Sequence, residues 1–144
     1  MNIAIGADHA GYDLKKVIIG FLKEKGHKVE DFGCYSEKSI DYPDYAHPVC
    51  ESIENGTNKY GVLICGSGNG ISMAANKHSG IRAALSWSSE IAKLGRLHNN
   101  ANIVSIPARF VSEENALKIV DVFFSTEFEG GRHQIRVDKI AVNP

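Results

Sequence analysis

Residues 60–70 read YGVLICGSGNG. Tyr60–Cys65 is a short, almost wholly apolar run of the kind found in a strand buried on both faces. It passes directly into Gly66-Ser67-Gly68-Asn69-Gly70, three glycines in five residues. Glycines let the backbone turn sharply and expose several N–H groups, and a helix from about Ile71 to Lys77 follows. Clustered N–H groups at a helix start form an anion-binding geometry, suited to a phosphate or to a negative oxygen formed during reaction. The same residues also fit a tight turn that holds nothing. Two nucleotide motifs are excluded. A GxGxxG fingerprint needs glycine where Ile71 stands, and no Gly-Lys-Ser/Thr ending completes a Walker loop.

Outward from this stretch, apolar strand-like runs alternate with helical patterns. Asn2–Gly6 reads as a first strand. Leu14, Val17, Ile18, Phe21 and Leu22 follow at the spacing of one helix face, with Gly26 as its stop. Lys28–Phe32 is a second strand, and Cys34–Asp44 a polar, turn-rich loop. A helix is expected over Tyr45–Glu54, with Pro48 tolerated only in its first turn. After Tyr60–Cys65, the fourth and fifth strands read as Arg82–Ser86 and Asn102–Ile106. Ser88 or Ser89 caps a helix reaching His98, Ser112 caps another running to about Ser125, and Arg132–Ile140 reads as a short terminal helix. Five strands alternating with helices imply an α/β chain, a three-layer α/β/α Rossmann-like fold on a five-stranded parallel sheet. No repeat or linker divides it, so residues 1–144 read as one domain.

Composition limits the partners. The chain has 144 residues, 43% hydrophobic and 23% charged, with net charge −1. That gives no global attraction to nucleic acid or to an anionic membrane. No apolar run approaches the roughly 18 residues of a membrane span. The opening MNIAIG enters a strand at once, without the pattern of a signal peptide, so a cytoplasmic location is expected. Cys34, Cys50 and Cys65 fit neither a zinc pattern nor a disulfide framework.

Ligand sites in such sheets lie beyond the carboxyl ends of the strands. Ala7–Gly11, Ser39–Tyr45, Cys65–Gly70 and Pro107–Phe110 fall there. Cys65 ends its strand beside the anion-binding turn, where a thiolate could act as base or nucleophile; a cysteine in that position also reads as inert core. Cys34 and Cys50 are taken as structural. Asp8-His9 follows the first strand: Asp8 reads equally as a group that orients an imidazole or holds a sugar hydroxyl and as a helix cap, and His9 could donate to a phosphate or shuttle protons. His98 with Asn99 offers an acid/base group and an amide, or a plain helix end. Periodicity does not settle whether that helix end joins the other segments. Arg132 and Arg136, four apart, suit a phosphate or a solvated basic face. Arg109, just after the fifth strand, is better placed for a ligand. Asp41-Tyr42 fits a substrate contact or a turn, and His27, His47, His78 and His133 show no interpretable arrangement.

Six segments in order, IGADHAGYDLK, DYPDYA, ICGSGNGISMAANK, GIRAAL, RLHNNANI and EGGRHQIRV, resemble the type B ribose-5-phosphate isomerases. The wider group includes allose-6-phosphate and galactose-6-phosphate isomerases. The resemblance runs from Asn2 to about Val142. It implies an isomerase without metal or cofactor, assembled as a homodimer or homotetramer with active sites formed across the dimer interface. By the same resemblance, Cys65 is the catalytic base, Ser67 the hydroxyl residue beside it, and His98 the residue that opens the furanose ring. Gly66, Gly68, Asn69 and Gly70 belong to the turn that stabilises the enediolate. Asp8, Tyr42 and Asn99 contact sugar hydroxyls, and His9, Arg109, Arg132 and Arg136 contact the phosphate. One branch of the family has a glutamate base at the position of Ile71; Cys65 with Ile71 places this chain in the cysteine branch, although GSGNG is closer to the glutamate branch. The expected substrate pair is D-ribose 5-phosphate and D-ribulose 5-phosphate. Six-carbon sugar phosphates are the nearest alternative. A non-catalytic phosphosugar-binding module, or a hydrolase working through Cys65 and His98, would be of a different class.

Overall fold

The computed structural model describes residues 1–142. Its five strands, all parallel, are β1 (Asn2–Ala7), β2 (Lys28–Asp31), β3 (Tyr60–Cys65), β4 (Ala83–Leu85) and β5 (Ile103–Pro107), in the order β2-β1-β3-β5-β4. The helices are α1 (Tyr12–Glu24), α2 (Pro43–Glu54), α3 (Asn69–Ala75), α4 (Ser89–Asn99), α5 (Glu113–Ser125) and α6 (Arg132–Val137), with a 3-10 turn at His9–Gly11. The expected three-layer α/β/α architecture is the one observed. Among the described residues, no helix is long and apolar enough to cross a membrane.

Strand alternation divides the core. Ile3, Ile5, Val62, Ile64, Val104 and Ile106 point to the layer of α1, α4 and α5, where Ile18, Leu22, Ile119 and Phe123 meet them. Ala4, Leu63, Cys65 and Ile103 point the other way, against Ala46, Val49 and Cys50 of α2 and Ile71 and Ala75 of α3. Burying each large side chain contributes roughly 1.5–3 kcal/mol. The central strands are therefore mostly apolar, with Ser105 of β5 a buried exception, while the edge strand β2 reads Lys-Val-Glu-Asp and is mostly exposed.

Most helix ends follow local chemistry. Gly26 takes the left-handed conformation (φ 89°) just beyond α1. Of the two serine candidates, Ser88 caps α4 through the Ile91 N–H (3.3 Å), and Ser112 caps α5 through the Asn115 N–H (3.1 Å). Several boundaries differ from the sequence reading. The second helix starts at Pro43 rather than Tyr45, which places Pro48 inside it. Pro48 deprives only the Asp44 carbonyl of its helical donor, and Asp44 is exposed to water. The third helix begins at Asn69, so the last two residues of the glycine-rich turn form its first turn. The fourth strand is shorter than expected, as befits a sheet edge paired on one side only.

The chain moves from β1 outward to β2, then returns to lay β3 on the other side of β1. That reversal opens a crevice between the carboxyl ends of β1 and β3.

Candidate active site

The crevice gathers part of the expected site. At the end of β1 the Asp8 N–H donates to the Ile64 carbonyl of β3 at 3.0 Å, which ties the two strand ends together. The Asp8 carboxylate, 7% exposed, accepts the Gly11 N–H at 3.1 Å. Asp8 is thus a cap, as one reading of the sequence held. His9 Nδ1 accepts the Ile40 N–H at 3.2 Å, which leaves the proton of a neutral ring on Nε2. That bond also draws the loop before α2 toward β1, and Tyr42 comes with it.

Cys65, the last residue of β3, is 4% exposed. Its sulfur packs beside the α2–α3 layer and accepts the Gly68 N–H at 3.2 Å. Gly68 has φ 76°, and a Cβ there would lie 2.4 Å from Leu85 Cδ1. Only glycine fits both the left-handed backbone and the space. The Ser67 hydroxyl accepts the Asn69 N–H at 3.3 Å. The Gly70 and Ile71 amides, in the first turn of α3, have no intrahelical carbonyl to reach. Tyr42 lies across Gly70, where an added Cβ would stand 2.5 Å from its ring, and Arg109 lies across Gly66 on the other side. The Arg109 and Ala108 amides fasten the β5 turn to the carbonyls of Gly66 (3.0 Å) and Cys65 (2.9 Å).

Asp8, His9, Tyr42, Cys65, Gly66, Ser67, Gly68, Asn69, Gly70 and Arg109 therefore share one end of the sheet. His98, Asn99, Arg132 and Arg136 do not join them within the chain. α4 leaves the carboxyl end after β4 and runs back against the strands, so its last turn lies at the amino end. Arg96 anchors that turn, bonding the Ala101 carbonyl at 2.6 Å, the Asn100 side chain at 2.9 Å and the Thr126 carbonyl at 3.1 Å. The His98 ring stacks on His133 of α6, with centroids 4.2 Å apart and planes at 14°. Burial and the nearby His98 push the His133 imidazole below the usual histidine range. Asn99, Arg132 and Arg136 stand exposed around this pair.

Other groups sort by environment. Cys34, Cys50 and Cys65 are free thiols. Burial pushes Cys50 up to about 12 and raises Cys34, which suits the structural role expected of both. Sequence reasoning missed Lys15, 1% exposed, whose ammonium grips both Asp31 oxygens at 2.6 Å. The signal was there: Lys15, Ile18 and Leu22 share one buried stripe of α1. It also missed the partnership of His133 and Glu129, spaced four apart.

The fold and this crevice define a doubly wound α/β protein with a thiol-bearing, glycine-rich turn at its switch point. A family model described as Ribose/Galactose Isomerase matches residues 3–140. The chain belongs to that family. It is 45% identical over 139 residues to ribose-5-phosphate isomerase B of Escherichia coli, covering 96% of this chain and 93% of the relative. A ribose 5-phosphate isomerase crystal structure from Thermotoga maritima superposes with TM-score 0.95 at 51% identity, covering 97% of each chain. Ribose-5-phosphate isomerase B from Mycoplasma genitalium, solved with bound ribulose-5-phosphate, superposes with TM-score 0.92 at 48% identity, over 96% of this chain and 93% of that one.

Proposed function

We propose that this chain, acting as one domain over residues 1–144, is a cytoplasmic isomerase that interconverts D-ribose 5-phosphate and D-ribulose 5-phosphate without a cofactor. The observation that carries the reading is the Cys65 sulfur beside the start of α3, with the Gly68 N–H 3.2 Å away and Asp8 and His9 across the crevice. The Cys65 thiolate removes the proton from C2 and returns it to C1. The turn amides hold the enediolate oxygen, acting where charge develops. Ser67 steadies the turn, Asp8, Tyr42 and Asn99 hold sugar hydroxyls, and His98 opens the furanose ring. His9, Arg109, Arg132 and Arg136 anchor the phosphate by charge-assisted bonds.

His98, Asn99, Arg132 and Arg136 sit at the opposite end of the sheet from Cys65, so one chain cannot close this site. A second copy, docked about a two-fold axis, supplies them, and the same axis makes a second site. The working unit is then a homodimer or a pair of homodimers.

Steady-state assays on ribose 5-phosphate, allose 6-phosphate and galactose 6-phosphate, with and without a chelator, test the reading. The five-carbon substrate should give the highest kcat/KM, and the chelator should not lower it. Higher kcat/KM on a six-carbon phosphate would move the substrate, and loss of turnover with the chelator would overturn the metal-free mechanism. In Cys65→Ala, turnover should fall roughly 10²–10⁴-fold while phosphosugar binding persists. Deuterium exchange at C2 surviving in that variant would remove Cys65 as the base.

A further inference from the structure

The isomerase reading uses His98 and leaves its two neighbours, Glu129 and His133, without a task. His98 Nε2 lies 3.9 Å from Glu129 Oε2, and His133 Nε2 lies 3.8 Å from the same oxygen. All three ligand atoms fall within 4.8 Å of one another. At those separations none is hydrogen-bonded to another. The set differs in this from His47, His78 and Glu54, whose ring and carboxylate atoms are joined at 2.7 and 2.9 Å. Two imidazoles and one carboxylate facing a shared gap are the donor set of open zinc sites, in which a fourth position stays free.

We propose that His98, Glu129 and His133 form a site for a zinc-like divalent cation, and that occupancy inhibits the enzyme by taking the His98 imidazole. The inhibitory half rests on the role given to His98 above; the binding half does not. Zinc bonds of about 2.0–2.2 Å bring neighbouring ligand atoms to roughly 3.3–3.5 Å. Closing the gap therefore takes less than about 1.5 Å of movement and a splaying of the stacked rings. Within the single chain the two side chains that must move have room: His98 is 40% exposed and Glu129 58%, whereas His133, at 11%, is the fixed anchor. Their backbones are already held together, since the Glu129 N–H donates to the Leu97 carbonyl at 3.1 Å and the His133 N–H to Gly130 at 3.1 Å. Arg132 and Arg136 are close enough to oppose a dication, which makes the site weaker than a structural zinc centre and therefore reversible.

The test is a zinc titration of the intact, assembled protein, prepared metal-free, against a chromophoric chelator near pH 7. One zinc per chain is expected. Glu129→Gln and His133→Asn should each weaken it by about tenfold or more, a loss in the range that altered metal surroundings produce. Cys65→Ala should bind as the parent does. Affinity unchanged in both cluster variants, or lost in Cys65→Ala, overturns the site. In the activity arm, equimolar zinc should suppress ribose 5-phosphate turnover, a chelator should restore it, and Glu129→Gln should keep turning over in the same zinc. Zinc bound at the cluster with turnover untouched overturns the inhibitory half. Absence of turnover in the metal-free parent would instead sink the isomerase reading, and the binding data would still decide the site. Glu129 is exposed, so that variant serves if His133→Asn does not fold.

Discussion

The two ends of the parallel sheet are built by different means. At the carboxyl end, three of the functional groups stand within two residues of a strand: Asp8 after β1, Cys65 closing β3, Arg109 after β5. Backbone bonds of 2.9–3.0 Å between neighbouring turns lock them to one another. At the amino end, His98, Asn99, Arg132 and Arg136 ride on the last turn of α4 and on the six-residue α6. Side-chain bonds from Arg96 hold that end, and its functional groups face outward. The first region is tied together by backbone bonds, and the second leaves Asn99, Arg132 and Arg136 exposed on the chain's surface. On the roles proposed for Cys65 and His98, a base and a ring-opening residue at opposite ends need another copy to bring them together.

The sharpest way to break this comparison is to mix two dead variants. Cys65→Ala and His98→Asn should each be inactive alone. If sites form between copies, a mixed dimer contains one site with both residues intact. Equal mixtures, unfolded and refolded together, should recover about a quarter of parental turnover. No recovery, with mixed dimers verified by mass spectrometry, would place both residues in one chain's site and end the two-copy account.

Stability should separate the ends next. Lys15 and Asp31 pin the carboxyl end, since Asp31 also accepts the Gly33 N–H at 2.8 Å and Gly33 in turn receives the Ala7 N–H at 2.7 Å. Lys15→Met leaves Asp31 partly buried without its cation. Urea unfolding should show a loss of about 3 kcal/mol, at the low end for a broken buried pair because Asp31 is 34% exposed. A loss under about 1 kcal/mol would mean the pair is too hydrated to matter.

The smallest effect is expected at Gly68. Gly68→Ala must hold a left-handed backbone and push Leu85 aside, together costing about 2 kcal/mol. The same change disturbs the N–H aimed at Cys65, so kcat should fall more than KM rises. A variant with parental kcat would show that the turn geometry at Gly68 has no part in the chemistry.

Much of this was readable in the chain. Apolar runs marked the strands, Ser88 and Ser112 marked helix starts, and Gly26 marked a stop, because each depends on residues a few positions apart. Lys15 was not read as core, since a charged residue counts as surface until its partner is known, and Asp31 is sixteen positions away. The first-turn preference of proline puts the start of α2 at Tyr45, two residues late, because one missing donor over an exposed carbonyl is tolerable.

By itself the sequence determined that strands and helices alternate, that a glycine-rich turn follows Cys65, and which face of each element is apolar. Those properties are short-range, carried by side-chain size, solvation and backbone freedom. Tertiary structure alone decided that β5 inserts between β3 and β4, and that His98 ends up at the far end of the sheet from Cys65. Periodicity says which face is buried and is silent on which neighbour buries it; that choice belongs to the packing of the whole sheet.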